Sequence, residues 1–313
     1  MIQNFINNLA KSGIIIEPFI TKRCNWKCDF CMYDCSPVSS GDFISDYMLR
    51  KLKKQVDFLR KLNIPVIINL LGGEPSLYFD KLKRIVDEIS SWNIGITMPT
   101  NGWWLEGEIS TKKFMNIFEK LVANTGVSSE SNGGNGLAIQ ISDEKYHSAW
   151  RKGNNNKKYF DELFMRKEYE HLKPNADDPW IKWQVLDPDY LINPHGRGLG
   201  ISNLKSFLKK NNTERFCTQE YEGQHLQSIH YELNGHISSV CMFGGEHEGI
   251  GTINDNILYI IMLLRYYELY RKKIGKYNCY NCHDIFKSWK KDELGILKEK
   301  FSYLNNFNSE NFI

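Results

Sequence analysis

The chain has 313 residues, of which 42% are hydrophobic and 25% charged, with a net charge of +3. That charge is too small to mark a nucleic-acid partner or an acidic membrane surface. No apolar run approaches the roughly 20 residues of a membrane span, and the opening MIQNFINNLAKSG lacks the plan of a secretory signal. The reading is a cytoplasmic protein of roughly two domains, with neither nucleic acid nor membrane as a partner.

Residues 13–20 (GIIIEPFI) read as a buried strand, and 45–62 as a helix capped by Ser45 or Asp46. A second strand at 65–71 leads to a helix over 77–91, with Tyr78, Leu82, Ile85, Val86 and Ile89 at helical spacing. Strand 95–100, helix 109–123, strand 137–142, helix 157–172 and strand 180–186 continue the alternation, and a sixth strand over 189–194 ends at Pro194. Short apolar strands alternating with helices predict a parallel sheet of βαβ units. The stretches 124–136 and 152–158 read as polar loops. After residue 200 the pattern changes. Residues 227–241 read as a hairpin turning at Asn234-Gly235, and 254–273 as an apolar helix, in which Leu258, Ile261 and Leu264 with Tyr266 and Tyr267 pack. A CxxC segment, a charged helix and an Asn-rich tail follow.

The eight cysteines divide unevenly. Cys24, Cys28, Cys31 and Cys35 lie within one short segment, residues 36–216 hold none, and Cys217, Cys241, Cys279 and Cys282 follow. In a reducing compartment such clusters hold metal or do redox chemistry more often than they form disulfides. The spacing Cys24-x3-Cys28-x2-Cys31, directly after the first strand, suits three irons of a 4Fe–4S cube, leaving the fourth iron open. The same loop suits zinc if Cys35 supplies a fourth ligand.

With Phe30 just before the last of the three cysteines, this motif resembles that of the radical S-adenosylmethionine (SAM) enzymes. Further resemblances follow in order. Gly72-Gly73-Glu74-Pro75 ends the second strand like the family's GGEP turn, which contacts the amino group of SAM. Thr100-Asn101-Gly102 ends the third strand like its TNG, and the resemblance implies that Asn101 and Phe30 belong to the SAM site. Ser142-Asp143 ends the fourth, where the family binds the ribose and methionine carboxylate, and Pro194-His195-Gly196-Arg197-Gly198 resembles a segment of members with an auxiliary domain. Singly, each has a plain reading as a turn or helix cap. The resemblance implies a partial (β/α)6 barrel over 1–200, with SAM and a 4Fe–4S cluster on Cys24, Cys28 and Cys31 as cofactors. It also implies an electron donor such as flavodoxin or ferredoxin.

Cys217, the hairpin, Cys241, the helix and Cys279-x2-Cys282 are similar in order to the twitch auxiliary domain, which holds a second 4Fe–4S cluster. This implies a small C-terminal α+β domain over 201–313; four-thiolate zinc is the alternative. Cys35 and Cys217 are candidate hydrogen-atom donors, although Cys35 also reads as a small buried hydrophobe. His147 and Arg197 are candidate substrate contacts, and Trp103 and Trp104 read as core. About a dozen residues precede the first strand, leaving no room there for an appended leader-binding domain. The family likeness implies a peptide-modifying radical SAM enzyme, an epimerase or cross-linker of ribosomally made peptides. The alternatives are oxidation of a small molecule and a non-enzymatic zinc-holding binding protein.

Overall fold

The computed structural model describes residues 2–28, 31, 33–125, 137–142, 156–173, 181–184, 227–238, 249–274 and 282–307. The chain opens with α1 (Ile2–Ser12), which the sequence reading did not anticipate. Its Phe5, Ile6 and Leu9 share one face and are buried. Four βα repeats and a fifth strand follow: β1 (Ile14–Pro18), α2 (Asp46–Lys61), β2 (Val66–Asn69), α3 (Phe79–Ile89), β3 (Gly95–Thr100), α4 (Glu108–Thr125), β4 (Leu137–Ser142), α5 (Asn156–Leu163) and β5 (Ile181–Gln184). Then come β6 (Gln227–Tyr231), β7 (His236–Ser238), β8 (Gly251–Thr252), α6 (Ile257–Ile274), α7 (Cys282–Trp289) and α8 (Gly295–Lys300).

The strands form one sheet in the order β5-β4-β3-β2-β1-β6-β7-β8. Every neighbouring pair from β5 to β6 is parallel, and the last two pairs are antiparallel. The fold is therefore mixed α/β on a parallel sheet, as the alternation predicted. The segment 189–194 lies outside the described residues. Within them, β6 is the strand beside β1, in the register Glu17↔His230. The expected domain boundary at 200 also lies outside the described residues. On its C-terminal side, β6 to β8 extend the same sheet, and Ile229, Leu258 and Trp289 belong to the same apolar core as Ile14 and Leu52.

Local chemistry accounts for most element ends. Ser45 caps α2 by accepting the Met48 N–H at 3.3 Å. Gly235 turns the β6–β7 hairpin at φ +83, where a glycine is at ease. The helix expected over 157–172 is shorter. After Leu163 the backbone bonds shorten to i→i−3, as Met165 to Glu162 at 3.3 Å and Arg166 to Leu163 at 3.2 Å, so the helix tightens into turns.

Strand alternation divides the sheet into two faces. Ile14 and Ile16, Val66 and Ile68, Ile96 and Met98, and Ile139 and Ile141 share the core with the apolar sides of α2, α3 and α4. Trp104 anchors this core. It is fully buried and stacks on Phe114 with ring centroids 3.9 Å apart. Its indole N–H reaches Thr100 Oγ1 at 3.2 Å, so Trp104 is core, as read from the sequence. Several alternate positions are polar. Thr97 Oγ1 donates to Asn69 Oδ1 at 2.7 Å, and Asn69 Nδ2 donates to Glu17 Oε1 at 2.8 Å. Glu17 is 6% exposed, and its Oε2 is buried without a hydrogen-bond partner among the described residues. Burial pushes its carboxyl up to about 7, against the pull of the Asn69 hydrogen bond.

Two outcomes follow from this packing. Trp104→Ala is expected to cost about 3–5 kcal/mol in chemical denaturation, and a cost under about 1 kcal/mol would exclude Trp104 as the anchor. For Glu17, the folded state keeps a proton that the unfolded chain releases near 4.5. Stability therefore falls as pH rises through this window and levels off above about 7, a loss on the order of 3 kcal/mol. Glu17→Gln should flatten the fall in unfolding free energy between pH 5 and pH 8 by that amount; a slope unchanged from wild type would contradict the burial argument.

Candidate active site at the carboxyl ends of the strands

Open parallel sheets present their ligand sites at the carboxyl ends of the strands. Here the chain leaves β1 through Phe19, which bridges to Leu71 beyond β2. It then forms a loop closed by its own bonds. Cys24 N–H donates to Ser36 O at 3.2 Å, Arg23 Nη1 to Ser39 O at 3.0 Å, and Ile44 N–H to Ile20 O at 2.8 Å. Inside, Cys24, Cys28 and Cys35 are buried and pack with Phe19, Trp26 and Leu71, while Cys31 is half-buried at the same cluster. His230 on β6 walls this nest, its ring stacked on Tyr33 at 6.2 Å and edge-on to Phe19 at 5.7 Å. Burial, helped by the charge of Lys22, holds the imidazole neutral, well below its usual range.

The nest suits thiolate ligands. Backbone N–H groups point at two of the sulfurs: Trp26 N to Cys24 Sγ and Cys35 N to Cys31 Sγ, both at 3.4 Å. Such donors stabilise charge on a ligating sulfur, and the apolar surroundings keep water away. Among the described residues, no His, Cys, Asp and Glu set converges as the ligands of one ion would. A cube takes one thiolate per iron and asks for no such convergence. The Cys35 thiol is pushed far up, first by its hydrogen bond with Cys31, then by burial and by the charges of Cys31 and Cys24.

The GGEP turn lies against the entry to this loop. Gly73 N–H donates to Thr21 O at 2.8 Å and Glu74 N–H to Arg23 O at 2.9 Å. A Cβ on Gly73 would stand 2.2 Å from Arg23 O, and one on Gly72 2.6 Å from Thr21 O, so only glycine permits the approach. Pro75 then opens a 3-10 turn, Pro75–Tyr78, capped by Glu74. Glu74 is fully buried, and its carboxylate is engaged throughout by protein donors. Oε1 accepts Ser76 N–H at 3.2 Å, the Ser76 hydroxyl and the Thr100 hydroxyl at 3.0 Å; Oε2 accepts Asn101 N–H at 2.7 Å. Burial raises its pKa and these bonds oppose the rise. The side chain therefore staples β2 to β3.

The TNG turn continues the network. Asn101 Nδ2 reaches Asn25 Oδ1 at 2.9 Å, inside the cysteine loop. Gly102 adopts φ +70, the left-handed region, with Asn156 against the space a Cβ would fill. Asn156 Nδ2 donates to Asn101 O at 3.3 Å and to Ser142 O at 2.7 Å, tying β3 to β4. Trp103 is half-buried, and its indole N–H donates to Ser76 Oγ at 2.7 Å. The structure thus brings Cys24, Cys28, Cys31, Cys35, Gly72, Gly73, Glu74, Pro75, Asn101 and Ser142 to one edge of the sheet. Phe30, Asp143, His147, Arg197, Cys217, Cys241 and Cys279 lie outside the described residues. Of the second cysteine set only Cys282 is placed, as the first residue of α7. Sequence reasoning missed Asn25, Asn156, Glu17 and His230. Asn156 sits in the run KGNNNKK, where nothing distinguishes one asparagine from the next.

Residues 19–163 match the model of the Radical SAM superfamily. A putative peptide biosynthesis protein, YydG of Bacillus subtilis (strain 168), is 30% identical over 138 residues, which are 44% of this chain and 38% of that protein. An S-adenosylmethionine-dependent nucleotide dehydratase of Psychrobacter lutiphocae is 24% identical over 134 residues, 40% of this chain and 43% of that protein. The chain spans less than half the length of these relatives. The crystal structure of BtrN in complex with AdoMet and 2-DOIA superposes with a TM-score of 0.43 at 15% identity, over 72% of each chain. Among the described residues, no helix is long and apolar enough to cross a membrane. The matched span takes in the cysteine loop, the GGEP turn and the TNG turn that Glu74 and Asn101 bind together, and the chain carries a radical SAM domain.

Proposed function

We propose that this chain cleaves SAM reductively and acts on a ribosomally synthesised peptide, by epimerisation or cross-linking. The observation that supports it most is the nest of Cys24, Cys28 and Cys31, with backbone donors on two sulfurs, held against the GGEP and TNG turns. The family implies a 4Fe–4S cluster and SAM, which together supply an electron and a 5′-deoxyadenosyl radical able to take a hydrogen atom from carbon. The chain's own part is to hold the three thiolates, exclude water and orient what binds beside them. Gly72, Gly73, Glu74, Pro75, Asn101 and Ser142, with Phe30 and Asp143, are proposed to line the SAM site. His147 and Arg197 are proposed to touch substrate.

In an epimerisation, the hydrogen atom of the peptide α-carbon would pass to the 5′-deoxyadenosyl radical, a thiol would return another to the opposite face, and one electron and one proton, the electron from the proposed donor protein, would restore the thiol. Cys35 or Cys217 is the proposed donor, and Cys35 is buried in the same cluster as Cys24 and Cys28. Cys217, Cys241, Cys279 and Cys282 are proposed to hold a second 4Fe–4S cluster in a C-terminal auxiliary region, and a flavodoxin or ferredoxin to supply the electron. The peptide reading draws support from the likeness to the putative peptide biosynthesis protein, whereas the likeness to the nucleotide dehydratase favours a small-molecule substrate as the second reading.

Anaerobically reconstituted protein should be brown and hold about four irons per cluster, and produce 5′-deoxyadenosine from SAM under dithionite. Cys28→Ala should lose that product by a hundredfold or more, and retained cleavage would remove the main reading. Turnover of a precursor peptide in D₂O should place one deuterium at an α-carbon for epimerisation, whereas loss of two hydrogens would identify cross-linking or oxidation.

A further inference from the structure

One side chain of the strand-end network reaches a cysteine of the loop. Asn101 Nδ2 stands 3.8 Å from Cys24 Sγ and 2.9 Å from Asn25 Oδ1. The orientation of this amide is set by its other end, because Asn101 Oδ1 accepts the Trp103 N–H at 3.0 Å. An oxygen facing a backbone donor leaves the NH₂ group facing Cys24 and Asn25. The backbone is held equally firmly, its N–H by Glu74 at 2.7 Å and its carbonyl by Asn156 at 3.3 Å. Asn101 is 7% exposed, and all its polar groups have protein partners.

We propose that Asn101 is a positioning residue for Cys24, whose N–H hydrogen bond to the sulfur raises the reduction potential of the iron–sulfur cluster held there. The assignment rests on the cluster reading given above. An electron added to a cluster increases the negative charge on its sulfurs, so an N–H donor stabilises the reduced form more than the oxidised one. The buried setting strengthens the effect, because little water competes for the sulfur. Asn25 anchors the donor, and the grip of Glu74 on the Asn101 backbone links the cysteine loop to the GGEP turn.

Asn101→Asp keeps an acceptor for the Trp103 N–H but sets a carboxylate oxygen, and with it a negative charge, against Cys24, so Asn25→Ala, which loosens the donor and adds no charge, is measured beside it and must shift the potential in the same direction. The measurement is a reductive titration of the reconstituted full chain followed by electron paramagnetic resonance, using the cluster signal that added SAM perturbs. The variant should keep wild-type iron content, and its signal should appear only at a lower potential. A wild-type potential with full iron content would overturn the assignment. If Asn101→Asp takes up no iron, Asn25→Ala decides: loss of the anchor should shift the potential in the same direction by less, and an unshifted potential refutes the proposal. A wild-type chain that takes up no iron refutes the cluster reading itself, and this assignment with it.

Discussion

A fully buried carboxylate is the constraint around which the site is arranged. Removing Glu74 from water carries a penalty of several kcal/mol unless its oxygens are satisfied. In this chain the donors come from its own turn and from the end of β3. Their requirement fixes how β2 and β3 end relative to one another. Two bare glycines let the same turn lie against the backbone that enters the cysteine loop. Through Asn101 and Asn25 the constraint reaches Cys24. A loop of three cysteines has no fixed geometry of its own, so this anchoring turns a spacing in sequence into a site.

The sheet serves two ends by the two-residue period of its strands. One face is apolar and binds α2, α3 and α4, so most of the hydrophobic stabilisation lies behind the site. The other face bears the chain from Thr97 through Asn69 to Glu17, whose donors all run toward Glu17. His230 on β6 stands beside Glu17 in register, and it is neutral for the same reason that Glu17 holds its proton: burial without a compensating charge. Apolar core residues and this buried polar chain thus alternate along the same strands.

Much of this was legible in the residue order. Strands 95–100 and 137–142 form where their apolar residues predicted them, and those expected at 13–20, 65–71 and 180–186 form within a few residues. The Asn234-Gly235 turn and the Ser45 cap form because each is a local interaction between neighbours in the chain. The N-terminal helix is legible in the spacing of Phe5, Ile6 and Leu9 along one face. The end of α5 was not legible, because Phe164 to Leu172 keep a composition that suits a helix.

The sequence by itself determined the parallel α/β plan, the cysteine loop and the motif turns, because each depends on short-range patterns of polarity, spacing and glycine. Only the tertiary structure decided that β6 lies beside β1, that the Glu74 carboxylate serves as a staple, and that Asn156 joins Asn101 to Ser142. Those facts are pairings between residues from 14 to more than 200 positions apart. A buried polar group takes whatever partner the fold brings to it, and the identity of that partner is not written beside it in the chain.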